Sequence, residues 1–187
     1  MEDLSDESLM LRYADGDARA FETLYGRHKD ALYRFVRRQC GDPEIAFELA
    51  HDIWLKLIKA RRRYRPNARF TTYLFTLARN RMIDYYRTQA RKLPAMGVMA
   101  DPVDVEDLPN RDDDGPDTLA HVRALVDRSL RLVQALPQDQ REIILMYVEG
   151  LSMAEIGAIT QVPAETARSR LRRVLTKLRH GLEELSS

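Results

Sequence analysis

Little in this chain interrupts or braces a fold. Of 187 residues, one is cysteine, eight are glycine and eight are proline. A lone Cys40 excludes an internal disulfide and fits a reducing compartment. The longest aliphatic-type run, IILMYV at residues 143–148, falls far short of the roughly 20 apolar residues that a membrane helix needs. The opening MEDLSDES is acidic and polar, unlike a secretory signal, so a cytoplasmic chain is expected. The histidines (His28, His51, His121 and His180) are widely separated, and no Cys/His cluster has zinc spacing. No convergent acid, base and nucleophile stand out, so neither catalysis nor a cofactor is expected. Glu44, Glu48 and Asp52 recur one turn apart, which reads as a solvated or partner-facing helix side rather than a magnesium site.

What is present favours helices. Hydrophobic residues make up 44% of the chain, enough for a real core, and Leu, Ala, Arg and Glu dominate. The fold class expected is all-α. The net charge of +1 conceals strong segregation. Met1–Gly26 holds seven acids and two bases, whereas Arg27–Lys92 holds 17 bases and six acids. Leu93–Thr118 holds eight acids and one base, and Gln161–Ser187 six bases and three acids. Two basic blocks separated by an acidic one suggest two surfaces that meet a polyanion.

The apolar rhythm stops between Leu93 and Thr118. LPAMGVMADPVDVEDLPNRDDDGPDT carries four prolines and a DDD run, so it predicts a flexible, extended linker. Two small helical domains follow, residues 1–92 and 119–187. In the first, Ser5 or Asp6 and then Asp17 are placed to cap helices. Phe21, Leu24, Tyr25, Leu32, Phe35, Val36 and Cys40 keep three-to-four spacing and predict one buried stripe. A third helix is expected from about Pro43 to Lys59, with a break at Pro66 and a fourth helix from about Phe70 to Arg91. In the second domain a helix over His121–Leu136 precedes one over Gln138–Glu149. Ser152 and Glu155 match a capping box, and Pro163 suits the first residue of a last helix running to about Leu182.

A short helix, a turn of about three residues and a second helix have the form of a helix-turn-helix. In the last helix Ala167, Leu171, Val174, Leu175, Leu178 and Leu182 form an apolar stripe. Arg168, Ser169, Arg172 and Arg173 fall opposite it, with Glu165 and Arg170 at the margins and Thr166 beside them. Guanidinium forks on such a face can bond guanine edges or phosphates in a major groove. In the first domain FTTYLFTLARNRMIDYYRTQARK interleaves aromatics with Arg79, Arg81, Arg87, Arg91 and Lys92, just after the basic loop Arg61–Arg65. Such a track can hold phosphates while aromatic faces stack on unpaired bases. Aromatics at helical spacing also serve as core, and Phe70, Leu74, Leu77 and Ala78 are read that way.

GDARAFETLYGRHKDALYRFVRR, ELAHDIWLKLIKA, FTTYLFTLARNRMIDYYRTQARK, the acidic linker and LPQDQREIILMYVEGLSMAEIGAITQVPAETARSRLRRVLTKLR resemble, in this order, an extracytoplasmic-function (ECF) sigma factor. These are small, group-four members of the bacterial sigma-70 family. The resemblance implies that Glu48, Leu49, Asp52, Ile53, Trp54 and Leu55 dock on core RNA polymerase. It implies that Arg79, Asn80, Asp84 and Arg87, with Arg61, Arg63 and Tyr73, engage the opened minus-ten strand. It places Arg168, Ser169, Arg170 and Arg173, with Glu165, Thr166 and Arg172, at the minus-thirty-five element. Core polymerase, promoter DNA and an anti-sigma factor are the implied partners, with no insertion into a membrane. Departures are Tyr73, where many relatives carry tryptophan, Ala167 for valine and His51 for glutamine. The competing reading of the residues is a helix-turn-helix repressor or activator that acts without polymerase.

Overall fold

The protein is described by a computed structural model covering residues 4–92 and 129–183. Those residues form helices and no strand. The acidic connector at 93–118 and most of the helix expected from residue 121 lie outside them.

Four helices build the first module: α1 (Asp6–Ala14), α2 (Ala18–Cys40), α3 (Pro43–Ala60) and α4 (Phe70–Lys92). Their starts follow from local chemistry. The Ser5 hydroxyl accepts from the Ser8 N–H, and Asp17 and Asp42 carboxylates accept first-turn N–H groups of α2 and α3. A helix leaves its first four N–H groups without intrahelical partners, so each cap offsets part of that cost, by about 1 kcal/mol. Gly41 ends α2 at φ +83°, a left-handed geometry that a side chain disfavours. The start of α4 is capped from a distance: the Phe70 N–H donates to Glu7 of α1 at 2.8 Å. That bond holds the Glu7 carboxyl below its ordinary range.

The core of this module is aromatic and aliphatic. Phe35 meets Phe75 edge-on at 5.2 Å, and Leu24, Leu32, Ile53, Leu57, Phe70 and Leu74 are fully enclosed. Each such side chain stabilises the fold by about 1.5–3 kcal/mol relative to exposure. Two expectations need correction. Tyr25 lies on the predicted stripe but is 42% exposed, resting against the edge of Trp54. The helix before Pro66 runs one residue past the expected Lys59, to Ala60, and passes into a 3-10 turn at Arg61–Arg63. Cys40 is half-buried and its thiol donates to the Asp42 carbonyl; burial pushes its pKa up.

The second module holds a helical segment at residues 129–134 (α5), then α6 (Gln138–Val148), α7 (Met153–Thr160) and α8 (Ala164–Glu183). Ile143, Ile156, Ala167 and Val174 form its centre. Helix α6 stops at Val148, one residue before the expected end. Helix α8 begins at Ala164, with Pro163 just outside and its carbonyl accepting the Ala167 N–H. The two modules touch: α4 packs on α7, and α2 on α6.

Candidate nucleic-acid and polymerase interfaces

The helix-turn-helix is built by α7 and α8. Ser152 and Glu155 form the full capping box at the start of α7. The turn Gln161–Pro163 is tight: Gln161 adopts φ +60°, and the Val162 N–H donates to the Gly157 carbonyl at 3.0 Å. A Cβ on Gly157 would lie 2.8 Å from the Val162 oxygen, so the close approach requires glycine there. That turn projects α8 from the module.

Helix α8 buries Ala167, Leu171 and Val174 and exposes Arg168, Arg172 and Arg173. Leu175, expected in the stripe, is 43% exposed instead. Arg168 pairs with the exposed Glu165 at 2.6 Å, and Arg170 reaches Asp139 at 3.8 Å. The half-buried Ser169 donates its hydroxyl to the carbonyl of Thr166 at 3.0 Å, a local bond on the predicted face. Arg172 and Arg173 make no ion pair among the described residues. An arginine face on a projecting second helix is the chemistry of major-groove contact.

Helix α4 distributes its predicted residues differently. Tyr73, Asn80, Asp84 and Arg87 share one side, because spacings of seven, four and three return to nearly the same azimuth. Asn80, Asp84 and Arg87 are exposed; Asp84 lies 3.7 Å from Lys56. Tyr73 is half-buried against Tyr64 at 5.1 Å, and burial raises its hydroxyl pKa. Arg79 points about 100° away from Asn80, towards the second module, where its Nε donates to Glu142 Oε2 at 2.9 Å. Arg63 is exposed, whereas Arg61 lies over the Tyr13 ring at 5.7 Å and donates to the Ile58 carbonyl. Phe70 and Phe75 are in the core and offer no face to bases.

On α3, Leu49, Ile53 and Trp54 are buried at 2%, 0% and 6% exposure, so their role is to hold the helix rather than to present a contact. Glu48 is exposed and Leu55 half-buried. Asp52 takes two hydrogen bonds from Arg81, at 2.9 and 3.0 Å, which ties α3 to α4. Sequence reasoning missed Phe47, which is 69% exposed one position before Glu48. An exposed phenylalanine inside an amphipathic helix was the available signal. It also missed Glu142, a buried acid on an apolar helix face, and the contact that Glu155, expected only as a cap, makes with Thr71 of the first module. Among the described residues no group of three or more His, Cys, Asp or Glu side chains could hold a metal, and no helix is long and apolar enough to cross a membrane.

A helix-turn-helix with an exposed arginine face, packed beside a second basic helical module, defines a two-module DNA-binding protein. Comparison with known proteins gives the family. Residues 24–92 match Sigma-70 region 2, and residues 128–178 match Sigma-70, region 4. The chain is 34% identical over 177 residues to the RNA polymerase sigma factor CarQ of Myxococcus xanthus, covering 94% of this chain and 97% of that one. It is 28% identical over 189 residues to the ECF RNA polymerase sigma-E factor of Escherichia coli K12, covering 98% and 97%. CnrH, solved in complex with the cytosolic domain of CnrY, shares the fold at TM-score 0.69 and 22% identity, over 96% of this chain and 97% of that chain. The sigma factor RpoE solved with the anti-sigma factor NepR from Bartonella quintana does so at TM-score 0.67 and 20% identity, over 89% and 98%. The chain belongs to the bacterial sigma-70 family of RNA polymerase sigma factors, in its ECF group.

Proposed function

We propose that this protein binds core RNA polymerase, carries it to two-element promoters and captures the opened minus-ten strand, with no catalytic chemistry of its own. The observation that carries this reading is the pairing, on one chain, of a region-two match and a region-four match with α8 arginines open to solvent. Residues 1–92 take the polymerase and minus-ten roles, and residues 119–187 the minus-thirty-five role. The acidic residues 93–118 connect them, so that holding one element raises the effective concentration of the other module at its own. Such work belongs in the cytoplasm.

Within that scheme Arg168, Arg172 and Arg173, with Ser169, Thr166 and Arg170, meet the upstream duplex. Tyr73, Asn80, Asp84 and Arg87 meet the single strand, with Arg63 and Arg61 near its backbone. Phe47 and Glu48, flanked by Leu55, form the polymerase contact that Leu49, Ile53 and Trp54 support from beneath. An exposed aromatic beside a charge is the composition of an interface anchor. RpoE was solved with an anti-sigma factor, and a regulator of that kind is the partner inferred here.

The test is co-purification with bacterial core RNA polymerase, then transcription from genomic fragments by the reconstituted enzyme. Defined start sites behind a two-element promoter are expected. Phe47→Ala with Glu48→Lys should weaken polymerase binding about tenfold or more while circular dichroism stays normal. Duplex binding with no affinity for polymerase would move the protein to the repressor or activator class.

A further inference from the structure

Helix α1 and the start of α2 precede the region-two match, which begins at residue 24. Yet α1 packs on the two pieces that the strand role needs, the basic turn Arg61–Arg63 and the start of α4. Its inner side is apolar, with Leu9 and Met10 fully enclosed. Its polar residues reach far along the chain. Asp6 pairs with Arg27 Nη1 and His28 Nε2, each at 2.7 Å, and the His28 ring lies 5.2 Å from Phe70. Glu7 Oε1 accepts the Phe70 N–H at 2.8 Å, across 63 positions. Tyr13 presents its ring to the Arg61 guanidinium at 5.7 Å and rests on Phe21 at 4.8 Å.

Helix α4 needs an acceptor that its own approach does not supply. Arg69 occupies the capping position, and its carbonyl takes the first intrahelical bond, from the Tyr73 N–H at 3.2 Å. An arginine side chain has no acceptor for the other N–H groups of that turn. Glu7 brings one from another helix. What it fixes is a cluster of rings: Tyr73, one turn along, meets Tyr64 at 5.1 Å and Phe70 at 6.5 Å. Tyr64 is 3% exposed, and its hydroxyl has no hydrogen-bond partner among the described residues, so ring packing alone seats it. The position of Tyr73 therefore follows the first turn of α4, and Glu7 holds that turn.

We propose that α1 is a brace for strand capture, with Glu7 and Tyr13 as positioning residues: Glu7 by capping α4, Tyr13 by seating Arg61. Neither residue touches the strand; they set where Tyr73 and the basic turn stand. The strand side of this proposal rests on the function proposed above, whereas the cap itself does not. Without the brace the first turn of α4 frays, and Tyr73 and Arg61 spread over orientations of which few fit a bound strand. The apparent affinity then falls by the fraction that still fits. Helix α8 packs on α6 and α7, so upstream duplex binding is the internal control.

The experiment uses the full chain and two readouts. Hydrogen exchange at the Phe70 amide of the free protein reports the cap without reference to DNA. The chain is then reconstituted with core RNA polymerase and given a promoter fragment from its mapped start sites, with the minus-ten non-template strand left unpaired. Glu7→Ala should speed exchange at Phe70 and weaken binding of the unpaired strand about fivefold, with polymerase and upstream duplex affinities unchanged. Glu7→Gln keeps an oxygen that accepts the N–H and should restore both readouts to within about twofold. Unchanged exchange in Glu7→Ala overturns the cap, and faster exchange with wild-type strand affinity overturns the positioning role. Equal losses of strand, polymerase and duplex binding, not rescued by glutamine, would reveal a general loss of fold and overturn it too. Should the wild-type chain start no transcripts, the positioning role falls with the function proposed above, while exchange still decides whether Glu7 caps α4. A second pair tests the seat of Arg61 without touching the cap. Tyr13→Leu should weaken strand binding about threefold, whereas Tyr13→Phe, which keeps the ring, should not. Matching losses in the two variants overturn that half of the brace.

Discussion

Helices α4 and α8 are both basic, both amphipathic and both proposed to meet promoter DNA, yet they hold their arginines differently. On α8, Arg172 and Arg173 stand in solvent, and Arg168 is matched only by an exposed neighbour one turn away. On α4, Arg79 and Arg81 are claimed by Glu142 and Asp52, carboxylates from other helices. The apolar stripe of α8 is narrow and seats on one small core, so its far side is unavoidably free. Helix α4 is a central element that touches α1, α2, α3 and α7, so few of its directions face water. Positive charge along a helix therefore measures what it is able to bind, and burial decides what is available.

The largest break in this comparison comes from the turn that projects α8. Gly157→Val forces side-chain atoms into the Val162 carbonyl, which a Cβ alone would already approach to 2.8 Å. Overpacking of this kind costs about 1–3 kcal/mol and occasionally more. Thermal melts should show the second module unfolding at lower temperature, with duplex binding lost. A wild-type melt would mean that α8 does not depend on the tight turn.

A sharper test sets one arginine from each helix side by side. Arg173→Ala removes an exposed side chain and should alter stability by no more than about 0.5 kcal/mol, while weakening upstream duplex binding by about 1–3 kcal/mol. Arg79→Ala strands the Glu142 carboxylate and should cost about 1–3 kcal/mol of stability before any DNA is present. Denaturant midpoints measured for the two variants decide it. Equal midpoints would erase the distinction between the helices.

Which parts of this were legible beforehand follows from range. The Ser152–Glu155 box, the Asp17 cap and the Ala167–Leu171–Val174 stripe are set by residues within a few positions of one another, and periodicity reveals them. Glu142 and Arg79 are 63 positions apart, and so are Glu7 and the Phe70 N–H that it caps. Only the tertiary packing of helices joins such pairs, so the arginines of α4 read as free along the sequence. Tyr25 and Leu175 show the converse. Their spacing is correct for a buried stripe, but among the described residues no neighbouring helix covers them fully. The family resemblance placed Leu49, Ile53 and Trp54 among contact residues, whereas their three-to-four spacing is that of an inward-facing stripe, and they are buried.

The smallest expected effect concerns protons, and it separates two of the acids that bond across the modules, Glu155 and Glu142. Burial works against ionised Glu155, but the Ser152 hydroxyl and N–H, the Thr71 hydroxyl and Arg69 outweigh it and hold its carboxyl below the ordinary 4.5. Its contribution is present above that value and is lost as pH falls through the lowered one. For Glu142 burial wins over Arg79, and the carboxyl sits above 4.5. Its protonated form fits the fold better, so its contribution is full below 4.5 and declines as pH rises towards the raised value. Melting temperatures between about pH 3.5 and 7 should therefore move in opposite senses for two conservative variants. Glu155→Gln should lose most, relative to wild type, near pH 7 and converge with it in acid. Glu142→Gln should fare better relative to wild type as pH rises, because it removes a charge that the interface holds at a cost. Each difference should amount to a few degrees at most, since one kcal/mol shifts the midpoint of a domain this size by about 2–8 °C. Parallel slopes for the two variants would mean that both carboxylates sit in the same environment, and the asymmetry between the cap of α7 and the face of α6 would be gone.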